Sequence, residues 1–276
     1  METTLTTSSK NLKQFFLFSF FFSWFVWIGM IIFEPAEQLF IPLLFLGAFG
    51  PSLGACLLIA FSSDPAQKKD FWKRLLGFKR VSLKNYLFIF LIFPLILSVG
   101  YGCMNFFGME IPSFSSFFEG IDSISGFLYL LLFMLLGGPL AEELGWRGFA
   151  LQPLQEKLGP LKASLLLGSI WILWHLPLFF IEGTSQNQKG FGISFWSWSL
   201  QLLLISIIFT WVYNNTRRSI LAAVLLHLMA NFFYPSNLDW SGELIFTGVR
   251  ILIVLPILLQ WNNQKILQTK APKTLA

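Results

Sequence analysis

The sequence predicts an all-α, polytopic membrane bundle of about eight transmembrane helices, and three observations predict it. The 276 residues are 55% hydrophobic and only 12% charged, with a mean hydropathy of +0.67, whereas a soluble domain carries about 25% charged residues. Apolar runs long enough to cross a bilayer, about 20 residues each, recur along the chain. The cations fall between these runs in an alternating pattern. With the N-terminus in the cytoplasm, all of the 19 Lys and Arg residues except Lys189 and Arg250 lie inside. Cytoplasmic loops are enriched in Lys and Arg, so an N-in, C-in orientation is expected. The net charge of +5 is then accounted for without a nucleic-acid partner. The partners expected are the lipid bilayer and a membrane-bound ligand.

The runs occupy residues 15–33, 39–61, 86–107, 124–144, 161–181, 195–213, 220–234 and 244–261. The first is too long and too aromatic for a signal peptide, and no Ala-x-Ala-like site follows. It reads as a retained span. In the second, Gly47, Gly50 and Gly54 around Pro51 predict close helix packing and a kink. Residues 62–84 interleave Lys68, Lys69, Lys73, Arg74, Lys79 and Arg80 with Phe71, Trp72, Leu75 and Leu76, the pattern of an amphipathic helix on the inner membrane surface. The seventh run is short for a full crossing. Cys56 and Cys103 lie in apolar runs and read as small buried hydrophobes rather than a disulfide. No repeat or linker divides the chain, so residues 1–276 are expected to form a single integral membrane domain of the cell membrane.

The segment PLAEELGWRGF, beginning at Pro139, breaks this apolar pattern with Glu142, Glu143 and Arg147. Each charge at mid-membrane costs about 2.5–3.5 kcal/mol on insertion scales, so such groups are kept to pair or to do chemistry. Glu143 and Arg147 stand at i,i+4 and share a helix face, which predicts a structural ion pair and leaves Glu142 to face the interior. Gly145 and Gly148 are small enough to admit another helix or a substrate. Gly159-Pro160 is a stop-and-restart signal. If it is the corner of an antiparallel hairpin, Glu142 and His175 stand at nearly equal offsets along the two limbs and meet at one depth. Pro177 should kink the helix just after His175. His227 and Asn231 share a face at i,i+4, and His227 stands about 13 Å beyond Arg218 along a helix.

Taken singly, a membrane His or Asn is most often interhelical glue worth about 0.6 kcal/mol, and Trp171 and Trp174 are packing or lining residues. Taken together, the chain's only histidines, an unpaired Glu and an Asn suit two chemistries. Glu142, His175 and His227 form a ligand set acceptable to zinc, although no H-E-x-x-H helix is present. The same groups suit metal-free activation of water by a carboxylate and an imidazole, with His and Asn stabilising an oxyanion.

The pattern Glu142-Glu143-x-x-x-Arg147, then Trp171-x-x-x-His175, then His227-x-x-x-Asn231 resembles the CPBP intramembrane proteases, also called the CAAX-protease or Abi family. That family includes the type II CAAX prenyl endopeptidase and bacterial proteins of bacteriocin processing and immunity, and the text around these motifs is similar to the bacterial branch. The motif region spans 137–233, and Trp171 stands where the family usually has Phe. The resemblance implies intramembrane endoproteolysis of a membrane-bound peptide or protein near the cytoplasmic side. It implies that Glu142 and His175 activate water, that His227 and Asn231 stabilise the oxyanion, and that Glu143 and Arg147 support them. In the family's metal-free mechanism no cofactor is required; in the metalloprotease alternative, Zn2+ would sit on Glu142, His175 and His227. Two other readings predict different outcomes. A non-enzymatic scaffold or immunity protein would tolerate Glu142→Gln, and a proton-coupled transporter would take up solute.

Overall fold

The computed structural model describes residues 9–111, 123–235 and 238–263, and among these every regular element is helical. The cations Lys265, Lys270 and Lys273 and the acids Glu119 and Asp122, whose sides of the membrane follow from the expected orientation, lie outside the described residues. Helix α1 (Ser9–Phe33) is followed by α2 (Glu37–Ala48), α3 (Gly50–Ala60), the short α4 (Pro65–Leu76) and α5 (Leu83–Phe106). Next come α6 (Ile124–Gly137), α7 (Pro139–Gly145), a π-helical turn at Trp146–Ala150 and α8 (Leu151–Trp174). After these stand α9 (Ser185–Lys189), α10 (Ile193–Asn215), α11 (Ile220–Phe232) and α12 (Trp240–Asn263).

Among the described residues, six helices are long and apolar enough to span a bilayer, and the pair α2 and α3, bent by 48°, makes up to seven. Each of the eight predicted runs corresponds to one of these or to α11. At 13 residues, α11 is about 20 Å long, short of the ~30 Å hydrocarbon core. Phe21, Phe25 and Phe33 on α1 are mostly exposed, as an apolar helix facing lipid should be. Helix starts follow local chemistry. Asp64 accepts from the Ala66 and Gln67 amides, Ser82 from Asn85, Ser123 from Gly126, and Ser219 from Ala222, each satisfying an amide that the helix itself leaves free.

The predicted kink in the second run falls at Phe49, between α2 and α3. Its glycines make the expected close approaches, Gly47 to Trp27 and Gly50 to Ser19 and Ser23 of α1. Helix α3 then lies directly on α7: the Ser52 hydroxyl donates to the Leu140 carbonyl at 2.7 Å. A Cβ on Gly145 would lie 2.6 Å from the Pro51 carbonyl carbon. This neighbour is backbone and cannot rotate aside, so Gly145→Ala should cost about 1–3 kcal/mol, read as a lower unfolding temperature in detergent.

Gly159 forms the predicted corner. It takes φ 76°, ψ 167°, a conformation open to glycine, and it divides α8 into two limbs. Pro177 behaves differently from expectation. It does not kink a continuing helix; α8 ends at Trp174, His175 caps it, and Leu176–Phe180 form a 3-10 turn.

The two ends of the bundle differ in charge. One gathers α4, the start of α5, the Gly159 corner and the α10–α11 connection, with Lys69, Arg80, Lys162, Arg217 and Arg218 among its cations. The other carries the starts of α2, α9 and α12, with Glu37, Glu182, Asp239 and Glu243. Helix α4 has the predicted amphipathic pattern, but Arg74 departs from it. Arg74 is buried, pairs with Asp70 at 2.8 Å and donates to the Tyr213 hydroxyl and the Gly148 carbonyl. It thereby ties the surface helix to the π turn.

Candidate active site

The two glutamates, the arginine and both histidines of the motifs are buried: Glu142, Glu143, Arg147, His175 and His227. Glu143 and Arg147 form the expected ion pair, with Arg147 Nη1 to Glu143 Oε1 at 2.8 Å and side chains 1% and 0% exposed. The guanidinium lies between the rings of Trp171 and Phe209, at 4.6 and 4.3 Å from their centroids. Cation–π attraction to two faces supplements the single hydrogen bond. The segment from Trp146, which holds Arg147, is a π turn, a geometry frequent at functional sites.

Sequence spacing did not reveal a second partner of Glu143. His227 Nδ1 lies 2.8 Å from the same Oε1. A carboxylate already accepting from Arg147 offers only lone pairs, so Nδ1 carries the hydrogen and His227 Nε2 is left to the interior. Glu143 therefore both balances Arg147 and orients His227. Asn231 follows His227 on the same face of α11, as expected from i,i+4.

Gly138 marks where these groups converge. A Cβ built there would lie 3.0 Å from Asn231 Nδ2, 3.3 Å from His227 Nε2 and 3.5 Å from Glu142 Oε1. Its φ of −154° is extended backbone open to any residue. The space, not the conformation, requires glycine here. Gly138→Ala should therefore fold normally and lose activity by roughly 10²-fold, the order expected for small misplacements of reacting groups. A normal turnover number would show that the convergence point is not where reaction occurs.

Glu142 and His175 come together through Trp171. The indole N–H of Trp171 donates to Glu142 Oε2, and its backbone carbonyl accepts from His175 Nδ1 at 2.7 Å. His175 Nε2 therefore carries the free lone pair in the neutral ring. The hairpin geometry does bring the two limbs together, but Trp171, read from sequence as packing, is the connecting residue.

Glu142, His175, His227 and Asn231 all line one cavity of about 440 Å³. Its walls are apolar, with Trp27, Leu44, Phe45 and Trp198, and its far end carries Ser185, Gln186, Lys189 and Tyr234. Lys189 pairs with Glu243 at 2.7 Å. Burial alone would lower the Lys189 ammonium, but Tyr234 and Glu243 more than offset it and hold it above its ordinary value. Among the described residues, no three His, Cys, Asp or Glu side chains gather closely enough to hold a metal ion.

The family model described as Type II CAAX prenyl endopeptidase Rce1-like matches residues 124–233, the stretch that holds every one of these polar residues of the motifs. A Methanococcus maripaludis protein named CAAX prenyl protease 2 is 32% identical over 264 residues, covering 92% of this chain and 96% of its own length. This chain belongs to the Rce1-like CAAX prenyl endopeptidase family. As a member of it, the chain is a multi-pass integral membrane protein and an intramembrane endopeptidase, acting on membrane-associated peptide substrates. The scaffold reading is not favoured by this membership.

Proposed function

We propose that this Rce1-like endopeptidase cleaves its membrane-associated substrate by glutamate-activated water at the point beside Gly138. The observation that carries this reading is that Glu142, His175, His227 and Asn231 line one cavity, with Glu142 Oε1, His227 Nε2 and Asn231 Nδ2 gathered around Gly138. Glu142, with His175 facing the same cavity, removes a proton from water as its oxygen bonds to the scissile carbonyl carbon. Asn231 donates to the oxyanion that forms. His227 does the same when Nε2 is protonated, and Glu143 then balances the imidazolium. The proton held at the Glu142–His175 pair passes to the leaving amine as the C–N bond breaks. Trp171 keeps Glu142 and His175 in place. The apolar walls suit a lipid-modified or hydrophobic segment, in keeping with the prenyl protease name of the Methanococcus protein.

In this reading the chain is one membrane domain over residues 1–276, oriented with both termini in the cytoplasm, because cytoplasmic faces are enriched in Lys and Arg. The test compares protein termini in membranes of cells lacking the protein, complemented with wild type or with Glu142→Gln at equal expression. New termini only with wild type are expected. Identical termini in both strains would overturn the proposal.

A further inference from the structure

The cation-rich end of the bundle holds a group of arginines outside the active site. The 3-10 turn Phe78–Arg80 stands between α4 and α5, and Arg217 and Arg218 lie on the connection between α10 and α11. Hydrogen bonds join these two segments. Arg80 Nη2 donates to the Arg217 carbonyl at 2.9 Å, and Asn85 Nδ2 donates to the Asn215 carbonyl at 2.8 Å. The Tyr86 hydroxyl fixes the turn itself by donating to the Phe78 carbonyl at 2.8 Å. The Arg80 side chain lies over Gly77, where a Cβ would stand 2.9 Å from Arg80 Cδ. Arg80 is therefore held in place by packing on both sides.

The charges gathered there do not balance. Among the described residues, Asp70 is the one carboxylate acting on Arg80, against the guanidinium groups of Arg74, Arg217 and Arg218. Asp70 is already shared, with Oδ2 on Arg74 Nε at 2.8 Å and Oδ1 3.7 Å from Arg218 Nη2. Arg80 and Arg217 have no ion-pair partner among the described residues, and Arg80 Nε finds no acceptor. Burial and the like charges hold the Arg80 guanidinium below its ordinary value, and Asp70 offsets only part of this. The backbone adds a further cost. Arg217 and Arg218 take φ 53° and 62°, the left-handed region that a Cβ disfavours. Fixing the orientation of a membrane protein needs only cations near a span end. It does not need guanidinium groups crowded around one carboxylate on unfavourable backbone. A phosphate would supply the missing negative charge, and guanidinium forks match its oxygens.

Depth distinguishes a lipid from a dissolved anion. Helix α5 begins at Leu83 and α10 ends at Asn215, and both are long and apolar enough to span the bilayer. Arg80, Arg217 and Arg218 stand just past those ends, at the level of the headgroup layer, which is about 5–7 Å thick on each side. On the same segment Leu76, Phe78 and Leu83 are 71%, 62% and 74% exposed, apolar side chains suited to acyl chains. We infer that Arg80, Arg217 and Arg218 form a binding site for the phosphate headgroup of an anionic phospholipid, whose acyl chains lie beside Leu76, Phe78 and Leu83. The bound phosphate takes over Arg218 and leaves Asp70 to Arg74, which holds the Gly148 carbonyl of the π turn. Binding therefore also stabilises the fold.

The experiment titrates the purified full chain, in an uncharged detergent at constant ionic strength, with phosphatidylglycerol, phosphatidylcholine or inorganic phosphate. Bound lipid is counted by native mass spectrometry, and the unfolding temperature is followed in parallel. Phosphatidylglycerol is expected to bind and to raise the unfolding temperature, and the other two are expected to do neither. Arg217→Asn removes an exposed cation and places there a residue that adopts left-handed backbone more readily. It should unfold no lower than wild type without lipid, yet bind phosphatidylglycerol about fivefold more weakly. Lys162→Gln removes an exposed cation at the same end of the bundle but outside this cluster, and should bind as wild type does. Equal binding of phosphatidylcholine would overturn the inference, since no anion would be recognised. Equal stabilisation by inorganic phosphate would overturn it in favour of a dissolved anion. Unchanged binding in Arg217→Asn, or an equal loss in Lys162→Gln, would show attraction to the whole charged face and no site here. No cleavage is read, so failure here is distinct from failure of the proposed proteolysis.

Discussion

Glu142→Gln is expected to lower cleavage of a membrane peptide substrate by roughly 10²–10⁴-fold, the usual contribution of a positioned general base, with no change in unfolding temperature. Gln matches Glu in size, and its carbonyl oxygen can still accept the Trp171 indole N–H that Glu142 Oε2 now receives. What is lost is the basicity needed to take a proton from water. Glu142→Ala removes the acceptor as well and leaves a buried indole N–H unpaired, at a cost of about 1–3 kcal/mol. The two substitutions therefore separate chemistry from folding: the Gln variant should be inactive and stable, the Ala variant inactive and less stable. The measurement is turnover of the purified protein on a substrate found from the new termini, alongside thermal unfolding in the same detergent. Wild-type turnover in the Glu142→Gln variant would remove Glu142 from the chemistry.

Much of this architecture was legible because it depends on short-range spacing. An apolar run of sufficient length, a Gly-Pro pair at 159–160, and Glu143 four residues before Arg147 each predict their local structure, and each is found. The contact between Glu143 and His227 joins residues 84 positions apart and depends on how α11 crosses α7, which no local period encodes. The role of Trp171 was hidden for a related reason. Its indole reaches across the hairpin while its carbonyl serves its own helix, and a buried Trp in sequence looks like packing. Gly138 gave no signal beyond ending an apolar helix, because its function lies in the volume it leaves to side chains from α7 and α11. The N–H of Leu151 bonds back to the Trp146 carbonyl, a π turn in a stretch whose sequence reads as ordinary helix. Arg74 counted correctly toward the basic face, but its burial follows from Tyr213 and Gly148, far away in sequence.

Arg147→Met is expected to destabilise the protein by about 3–5 kcal/mol, the loss typical when one member of a buried ion pair is removed. Met can occupy part of the space between Trp171 and Phe209, so the main penalty is electrostatic: a Glu143 carboxylate at 0% exposure keeps only His227 as a partner. Glu143→Gln is destabilising for the converse reason, since it leaves the buried guanidinium without its ion-pair partner. Combining the two removes both charges, and the double variant should recover most of the lost stability. The coupling between the mutations should therefore be strongly non-additive. Activity should not recover in parallel. His227 would now face a neutral amide, which can still accept from Nδ1–H but cannot balance an imidazolium opposite the developing oxyanion. Thermal unfolding of the four proteins gives the stability cycle, and turnover gives the catalytic one. Additive stabilities would show that the pair contributes little through its charges. Full activity in the stable double variant would confine Glu143 to holding the fold and take His227 out of oxyanion stabilisation as a cation.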